Sequence, residues 1–345
     1  MMLRLLVSSA VAALAAVASP IYTLTDLGSG YHPAAINSSR AVAGTFRDHR
    51  GTERGFLWRS GQVSLLEPDT RVLDIDDAGR MGGILFDGAG NTIASVWDGT
   101  GRTAVGDPGS SVAALGPAGG PAVGSIRGQA AAFPSPLGVT GLWSAAQDVN
   151  SSGVITGTTL LASGEFRAFR YRPEAGSMML PLLDGSSSYG IAVNDAGQIA
   201  GNATTASGHL QAFLWTHGAI VGLGTLGGPA SAVRGLNAFG AAVGWSTDAA
   251  GGQSAFVWMN GVMLDLNTLV GAHGWRLIEA SAINDNGQIV GEGLLNGELR
   301  GFLLDPVFDS QRAPLHPNPE PGTLSLVVLG GLLLAAAARG RRRPP

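Results

Sequence analysis

The sequence predicts an all-β fold, a β-propeller of about seven four-stranded blades, from a repeated turn phrase and from the strand that follows it. The phrase is Asn-x-x-Gly-x-x-x-Gly, and successive copies begin 33 to 47 residues apart. Its copies are residues 37–44, 76–83, 150–157, 194–201, 237–244 and 284–291, with a degraded copy that ends at Val123-Gly124. A period near 40 residues with several short strands per unit is typical of a radial array of sheets.

Residues 188–228 show the unit most clearly, as four short apolar pieces separated by Asn, Asp and Gly. This pattern is typical of an antiparallel meander. The third piece, Ala-Phe-Leu-Trp, has related strands after every phrase, at residues 55–58, 94–97, 132–133, 168–171, 212–215, 255–258 and 301–304. Two rings spaced two residues apart lie on one face of a strand, so we expect them to pack between adjacent sheets.

The N-terminal strand is expected to close the ring. Residues 21–28 resemble the fourth strand of a repeat, such as residues 262–266, whereas the last repeat ends near Pro306 without one. A strand from the start of the chain would complete the final sheet and remove its open edge. The predicted ring therefore spans residues 21–306, and it has seven blades if residues 99–140 form a blade.

Composition excludes several kinds of site. The chain has no cysteine, which rules out disulfides and thiolate-bound metals. Without Arg4 and the four arginines of the C-terminal tail, 16 basic residues face 25 acidic ones, a net charge of about −9. That sign is wrong for a nucleic-acid partner. A calcium loop needs acidic residues at alternate positions, and only residues 74–77 match in part, so we expect no metal and no cofactor.

The N-terminus has the pattern of a secretory signal peptide over residues 1–18. Arg4 precedes an apolar run, and the small residues Ala16 and Ala18 suit cleavage after Ala18 by signal peptidase. An N-terminal core helix is the alternative. The pattern predicts export across the inner membrane.

The C-terminus predicts a spacer followed by a membrane anchor. Residues 307–321 are Pro-rich and polar, which is typical of an extended spacer. Residues 322–338 are uncharged, a length at the short end for a membrane-spanning helix, and the segment 322–345 ends in a basic tail. The tail contains Arg339, Arg341, Arg342 and Arg343. Such a cluster favours the cytoplasmic side of the membrane.

Two family resemblances follow from these residues. Pro319-Glu320-Pro321, the short apolar helix and the arginine cluster resemble the PEP-CTERM sorting signal, which implies processing by an exosortase and a final place at the cell surface or outside the cell. Residues 22–306 resemble the HAF-repeat family of predicted extracellular proteins, most clearly over 211–228. The family's His is replaced by Gln211, Arg167 and Ser254. Neither resemblance implies catalytic residues.

The sequence favours a binding or structural module over an enzyme. The six histidines are scattered over different repeats, and no Gly-x-Ser-x-Gly or metalloprotease phrase is present. Candidate ligand-binding rings precede the first strand of four repeats: Tyr31, Trp143, Tyr189 and Trp275. Exposed rings there could stack on the sugars of an exopolysaccharide, although the alternative is that they anchor loops onto the ring. Other matrix proteins are the alternative partners, and a polysaccharide hydrolase or lyase is the alternative function.

Overall fold

The computed structural model describes residues 21–272 and 274–307, which form a seven-bladed β-propeller of four-stranded blades. The predicted signal peptide, the sorting motif and the C-terminal anchor with its arginines lie outside the described residues, as does the spacer beyond Val307. Within the described ranges, no helix has the length and hydropathy needed to cross a membrane.

The strands follow the chain from the inside of each blade to its rim. Strand β1 (Ile21–Ser29) belongs to the last blade. Blade 1 contains β2 (Tyr31–Ile36), β3 (Val42–Arg47), β4 (Glu53–Arg59) and β5 (Gln62–Pro68). Blade 2 contains β6 (Thr70–Ile75), β7 (Met81–Phe86), β8 (Thr92–Asp98) and β9 (Gly101–Pro108). Blade 3 contains β10 (Ser110–Leu115), β11 (Ala122–Ile126), β12 (Gln129–Ala132) and β13 (Ser135–Pro136).

The remaining blades repeat this order. Blade 4 contains β14 (Trp143–Val149), β15 (Ile155–Leu160), β16 (Phe166–Arg172) and β17 (Gly176–Met179). Blade 5 contains β18 (Ser188–Val193), β19 (Ile199–Thr204), β20 (Leu210–Thr216) and β21 (Ala219–Gly222). Blade 6 contains β22 (Gly227–Leu236), β23 (Ala242–Asp248), β24 (Gln253–Met259) and β25 (Val262–Asp265). Blade 7 contains β26 (Trp275–Ile283), β27 (Ile289–Leu295), β28 (Glu298–Val307) and β1. Two short 3₁₀ turns, Pro117–Gly119 and Leu266–Thr268, complete the described structure.

The predicted closure by the N-terminal strand is confirmed. Strand β1 pairs antiparallel with β28, from Ile21 opposite Val307 to Ser29 opposite Arg300. The Arg300 side chain adds an ion pair to Asp26, at 3.0 Å between Nη2 and Oδ2. The last blade is thus built from both ends of the described chain.

Blade 3 corrects two boundaries of the prediction. A blade does lie within residues 99–140, but residues 101–108 form β9, the rim strand of blade 2. The predicted strand at Ala132-Phe133 is wrong by two residues. Ala131 pairs with Gly124 in the position where blade 5 pairs Phe213 with Gly201, and Phe133 follows the strand. The prediction was based on Phe133 as the aromatic residue of the strand, whereas the strand register places Ala131 at the position that Phe213 occupies in blade 5.

The ring has two faces, which we call the turn face and the loop face. The turn face contains the turns between the first and second strands of the blades, around residues 37–40, 76–79, 116–120, 150–153, 194–197, 237–240 and 284–287. The loop face contains the hairpins between the second and third strands. The innermost strands contact one another around the whole ring. Because Ile21 opposes Val307, the described chain begins and ends on the turn face.

The asparagine of the phrase explains why the turns recur. In blade 5 the Asn194 Oδ1 accepts a hydrogen bond from the Gln198 backbone N–H at 3.0 Å, which caps the turn. Its Nδ2 donates to the Asn237 carbonyl of the next blade, also at 3.0 Å. We call the side chains that bond to the next blade in this way the asparagine belt: Asn150, Asn194, Asn237, Asn284 and Asn37. All are buried, so each bond satisfies groups that would otherwise be desolvated without a partner.

In blade 2 an aspartate–arginine pair takes the place of the belt asparagine. Asp76 stands at the asparagine position and has no donor to give to blade 3. Arg80 binds Asp76 Oδ2 through Nε at 2.6 Å, and its Nη2 reaches the Gly116 carbonyl at 3.3 Å. The guanidinium therefore supplies the bond to the next blade that an asparagine amide makes elsewhere.

A second set of bonds between blades uses a hydroxyl six residues before the phrase. Ser188 Oγ accepts the Ala168 N–H at 3.0 Å, and Ser231 Oγ accepts the Ala212 N–H at 3.1 Å. Equivalent acceptors are Thr70, Ser110 and Ser144. The donor in each case is the residue that begins the Ala-Phe-Leu-Trp strand of the preceding blade. This signal was available in the sequence.

The aromatic slots form the packing between sheets, as expected. Phe56, Phe169, Phe213 and Phe256 are fully buried. The last glycine of the phrase leaves room for the ring, since a Cβ at Gly201 would lie 2.4 Å from Phe213 Cζ. The earlier glycine of the turn has a different role: Gly197 has φ of +74°, a conformation that other residues adopt at a cost.

Candidate functional site

The four rings predicted as binding residues are the first or second residues of innermost strands, and they therefore lie toward the loop face. Three of them pack on their own or a neighbouring blade. The Tyr31 centroid is 4.7 Å from that of Phe46. The Trp275 ring meets Phe302 edge-on at 6.5 Å. These contacts fit the alternative interpretation of the rings as anchors for loops.

Trp143 differs because it is exposed. Its side chain is 39% exposed, and its neighbour Leu142 is 72% exposed. Trp143 pairs across the sheet with Leu160, which pairs with Phe166, so the three side chains lie in one row. The Tyr189 ring of blade 5 extends the row, with its centroid 5.3 Å from that of Phe166. We call these four side chains the blade 4 row.

The other candidate region is a cavity of about 260 Å³ at the turn face, where the innermost strands of five blades converge. Its lining includes the carboxylates of Asp74, Asp76, Asp77, Asp148 and Asp285. Within the described ranges, no group of three or more histidine and carboxylate side chains is arranged to hold a metal ion. The residues of the partial calcium match instead bind protein groups: Asp74 Oδ2 accepts the Leu115 N–H at 2.7 Å, and Asp77 Oδ1 accepts the Ser38 N–H at 2.8 Å.

Asp148 and Asp74 occupy equivalent positions at a bulge. In each innermost strand the register shifts just before the phrase, as between Ala146 and Asp148. Val193 lies in the innermost strand of the next blade, which is the edge of its sheet, and Asp148 Oδ2 accepts the Val193 N–H at 2.7 Å. Other blades have Ala or Gly in this position. An acidic residue two positions before the phrase was the sequence signal for both carboxylates, and the prediction from sequence omitted Asp148.

Both carboxylates have raised pKa values. Burial is the main cause, and it raises the pKa of Asp148 to about 7, with the negative charge of Asp74 adding to the effect. Burial likewise raises the pKa of Asp74 to about 6. The backbone N–H bonds oppose the rise in both cases. These groups change charge near neutral pH within the cavity.

A histidine–carboxylate pair joins the last blade to the first. His32 Nδ1 lies 2.8 Å from Glu292 Oε1, although the two residues are 260 positions apart in the chain. The hydrogen bond to Glu292 raises the pKa of His32, and burial opposes the rise. Nothing in the sequence indicated this pair.

Comparisons with known proteins support the fold. No family model and no curated protein matches the chain. Among solved structures, the β-propeller domain of the Trilobed protease from Pyrococcus furiosus has a TM-score of 0.50 at 9% identity and covers 85% of this chain and 100% of its own. A chain of the Mitotic Checkpoint Complex has a TM-score of 0.52 at 14% identity, covering 83% and 94%. TolB from Acinetobacter baumannii has a TM-score of 0.44 at 14% identity; the match covers 79% of this chain and 64% of TolB. For the Trilobed protease domain and the Mitotic Checkpoint Complex chain, the likeness at these identities is one of fold.

Proposed function

We propose that the protein is an exported, exosortase-sorted module of the cell surface or extracellular matrix, which binds exopolysaccharide without catalysis. The observation that carries the binding proposal is the blade 4 row, where Trp143 is exposed next to three further apolar side chains. A flat exposed ring offers an apolar face for the C–H groups of a sugar. The row lies toward the face opposite to the described chain ends.

A polysaccharide hydrolase or lyase is the competing function, because Asp74 and Asp148 line a cavity and have raised pKa values. Their hydrogen bonds favour the non-catalytic alternative. An Asp148 oxygen and an Asp74 oxygen each hold a backbone N–H of the next blade, so both carboxylates already connect blades. A reaction would have to break these bonds.

The test is to incubate the ring with the exopolysaccharide of the source organism and to follow both retention on the polymer and the appearance of new chain ends. We expect retention without new ends, and a loss of retention in Trp143→Ala. Leu65→Ala is the matched control, since Leu65 is 44% exposed on the rim strand of blade 1. New reducing or unsaturated ends would overturn the non-catalytic proposal, and equal retention of both variants would remove the blade 4 row from it.

The sorting proposal has its own test. Replacing Glu320 and Pro321 by alanine should leave the protein in the membrane fraction, whereas the natural chain should appear at the cell surface or in the medium. Identical distribution of the two proteins in cell fractions would show that the motif is not used.

A further inference from the structure

Arg170 is a cation without an ion-pair partner among the described residues, in a ring of net negative charge. It lies in β16 with its guanidinium carbon 5.1 Å from the centroid of the Trp215 ring, so it bridges blades 4 and 5. Its Nη2 contacts the Met178 sulfur at 3.8 Å, and a thioether is a weak acceptor. Burial and the nearby charge of Arg172 lower the pKa of Arg170, and the charge of Glu174 opposes them without making an ion pair, so the site on balance disfavours the cation it contains.

Unsatisfied donors are concentrated at this stack. Three buried side-chain polar atoms in the described part of the chain have no hydrogen-bond partner, and two of them are Arg170 Nε and Trp215 Nε1. Trp215 itself is only 4% exposed. Native structures contain few such atoms, because a buried donor without an acceptor costs free energy. The two donors of the Arg170–Trp215 stack therefore call for an acceptor that the described residues do not provide.

The ring contains a satisfied arginine–tryptophan stack at the junction of blades 7 and 1, where the arginine belongs to a turn of the tryptophan's own blade. Arg40 covers Trp58 with its guanidinium carbon, also 5.1 Å from the ring centroid. There a carboxylate completes the stack: Asp305 accepts Arg40 Nε at 2.8 Å and Nη2 at 2.5 Å. Trp58 and Trp215 occupy the same position of the repeated strand. This propeller therefore already contains one arginine that stacks on a tryptophan and binds a carboxylate in a bidentate manner.

The third residue after the buried phenylalanine is acidic in blade 7 and basic in blade 4. Asp305 stands three residues after Phe302, and the corresponding residue after Phe169 in blade 4 is Arg172. Where blades 7 and 1 have an arginine and an aspartate, blades 4 and 5 have two arginines. The carboxylate cannot come from that position of the chain.

We propose that the Arg170–Trp215 stack is a binding site for a carboxylate group of an acidic sugar or an acidic polymer. The carboxylate of the ligand accepts hydrogen bonds from Nε and Nη2 of Arg170, as Asp305 does from Arg40. Arg172 adds a second positive charge. A planar guanidinium suits two-point binding of a carboxylate. Met178, 41% exposed, covers this edge and is displaced by the ligand. The site goes beyond the binding proposed for the loop face, because it uses different side chains.

The test is calorimetric titration of the full-length chain with three probes: sodium galacturonate, polygalacturonate and neutral dextran. We expect both carboxylated probes to bind, dextran not to bind at this site, and Arg170→Gln to weaken binding about tenfold, the effect of one charge-assisted bond pair. Tighter binding of the polymer than of the monomer assigns the site to polymers, and equal affinity per carboxylate assigns it to single acidic sugars. Arg50→Gln is the control, an exposed arginine on the loop face.

A second variant keeps the proposal falsifiable if Arg170→Gln unfolds. Arg172→Asp places a carboxylate two residues from Arg170 on the same face of β16, so it should abolish binding while raising the melting temperature. Unchanged galacturonate affinity in both variants, or in the folded one of the two, would overturn the proposal. Because Trp143→Ala should leave galacturonate affinity unaltered, failure at this site can be told apart from failure of the blade 4 row.

Discussion

Asp148 should make the stability of the ring fall as pH rises toward neutrality. Its pKa is about 7 in the folded chain, against an ordinary value of 3.8. The folded state therefore retains a proton between about pH 4 and pH 7 that the unfolded state has lost, so stability is highest at the acidic end and declines through this window. A shift of this size corresponds to at most about 4 kcal/mol. Because Asp148 is only partly buried and lines the cavity, we expect solvent screening to leave roughly 2 kcal/mol.

The test of this reasoning is Asp148→Asn. The amide oxygen can still accept the Val193 N–H, but it carries no charge at any pH. We expect the variant to match the natural chain near pH 4, the acidic end of this window, and to exceed it by about 2 kcal/mol at pH 8, measured as the free energy of urea unfolding. Asp184→Asn is the control, since Asp184 is exposed. Parallel pH profiles for the natural chain and Asp148→Asn would refute the reasoning.

Three further substitutions test the packing of the ring. Asn194→Ala removes the turn cap and the bond to the next blade and should cost about 2–3 kcal/mol in urea unfolding; a cost below about 0.5 kcal/mol would show that the belt is dispensable. Gly201→Ala places a methyl group against the Phe213 ring and backbone, and we expect little folded protein by circular dichroism; a normal melting curve would contradict the close approach. Arg40→Gly relieves a left-handed φ of 67° but removes the bonds to Asp305, and the net effect should be a loss of about 1 kcal/mol, measured by thermal melting; a more stable variant would mean that strain outweighs the ion pair.

The blades could be predicted from the repeat because the strands and turns of each blade are specified by residues that are close together in the sequence. Alternating apolar residues and Asn-x-x-Gly turns specify one meander, and the period then specifies the array. The error in blade 3 came from giving weight to Phe133 over the spacing from Gly124, where small residues fill the slot.

The candidate sites were less predictable because they depend on contacts between blades. Trp143 was found by its position, but only the structure separates it from Trp275, which packs on Phe302. The Arg170–Trp215 stack joins residues that belong to different repeats. Its interpretation as a carboxylate-binding site depends on a comparison with the Arg40–Trp58 stack of the same ring. Neither property leaves a trace in local sequence patterns.

The pairing of β1 with β28 has a consequence for the order of folding. Thr23 and its bonding partner Asp305 are separated by 282 positions, whereas the strands of blades 1 to 6 pair with near neighbours in the chain. Local hairpins form rapidly, but a contact of such long range forms slowly. During synthesis, six blades can assemble while β1 stays without a partner, and completion depends on the arrival of residues 298–307. A ribosome that stops before that point releases an open arc in which β1 has no partner, a form that is exposed to aggregation and to proteases.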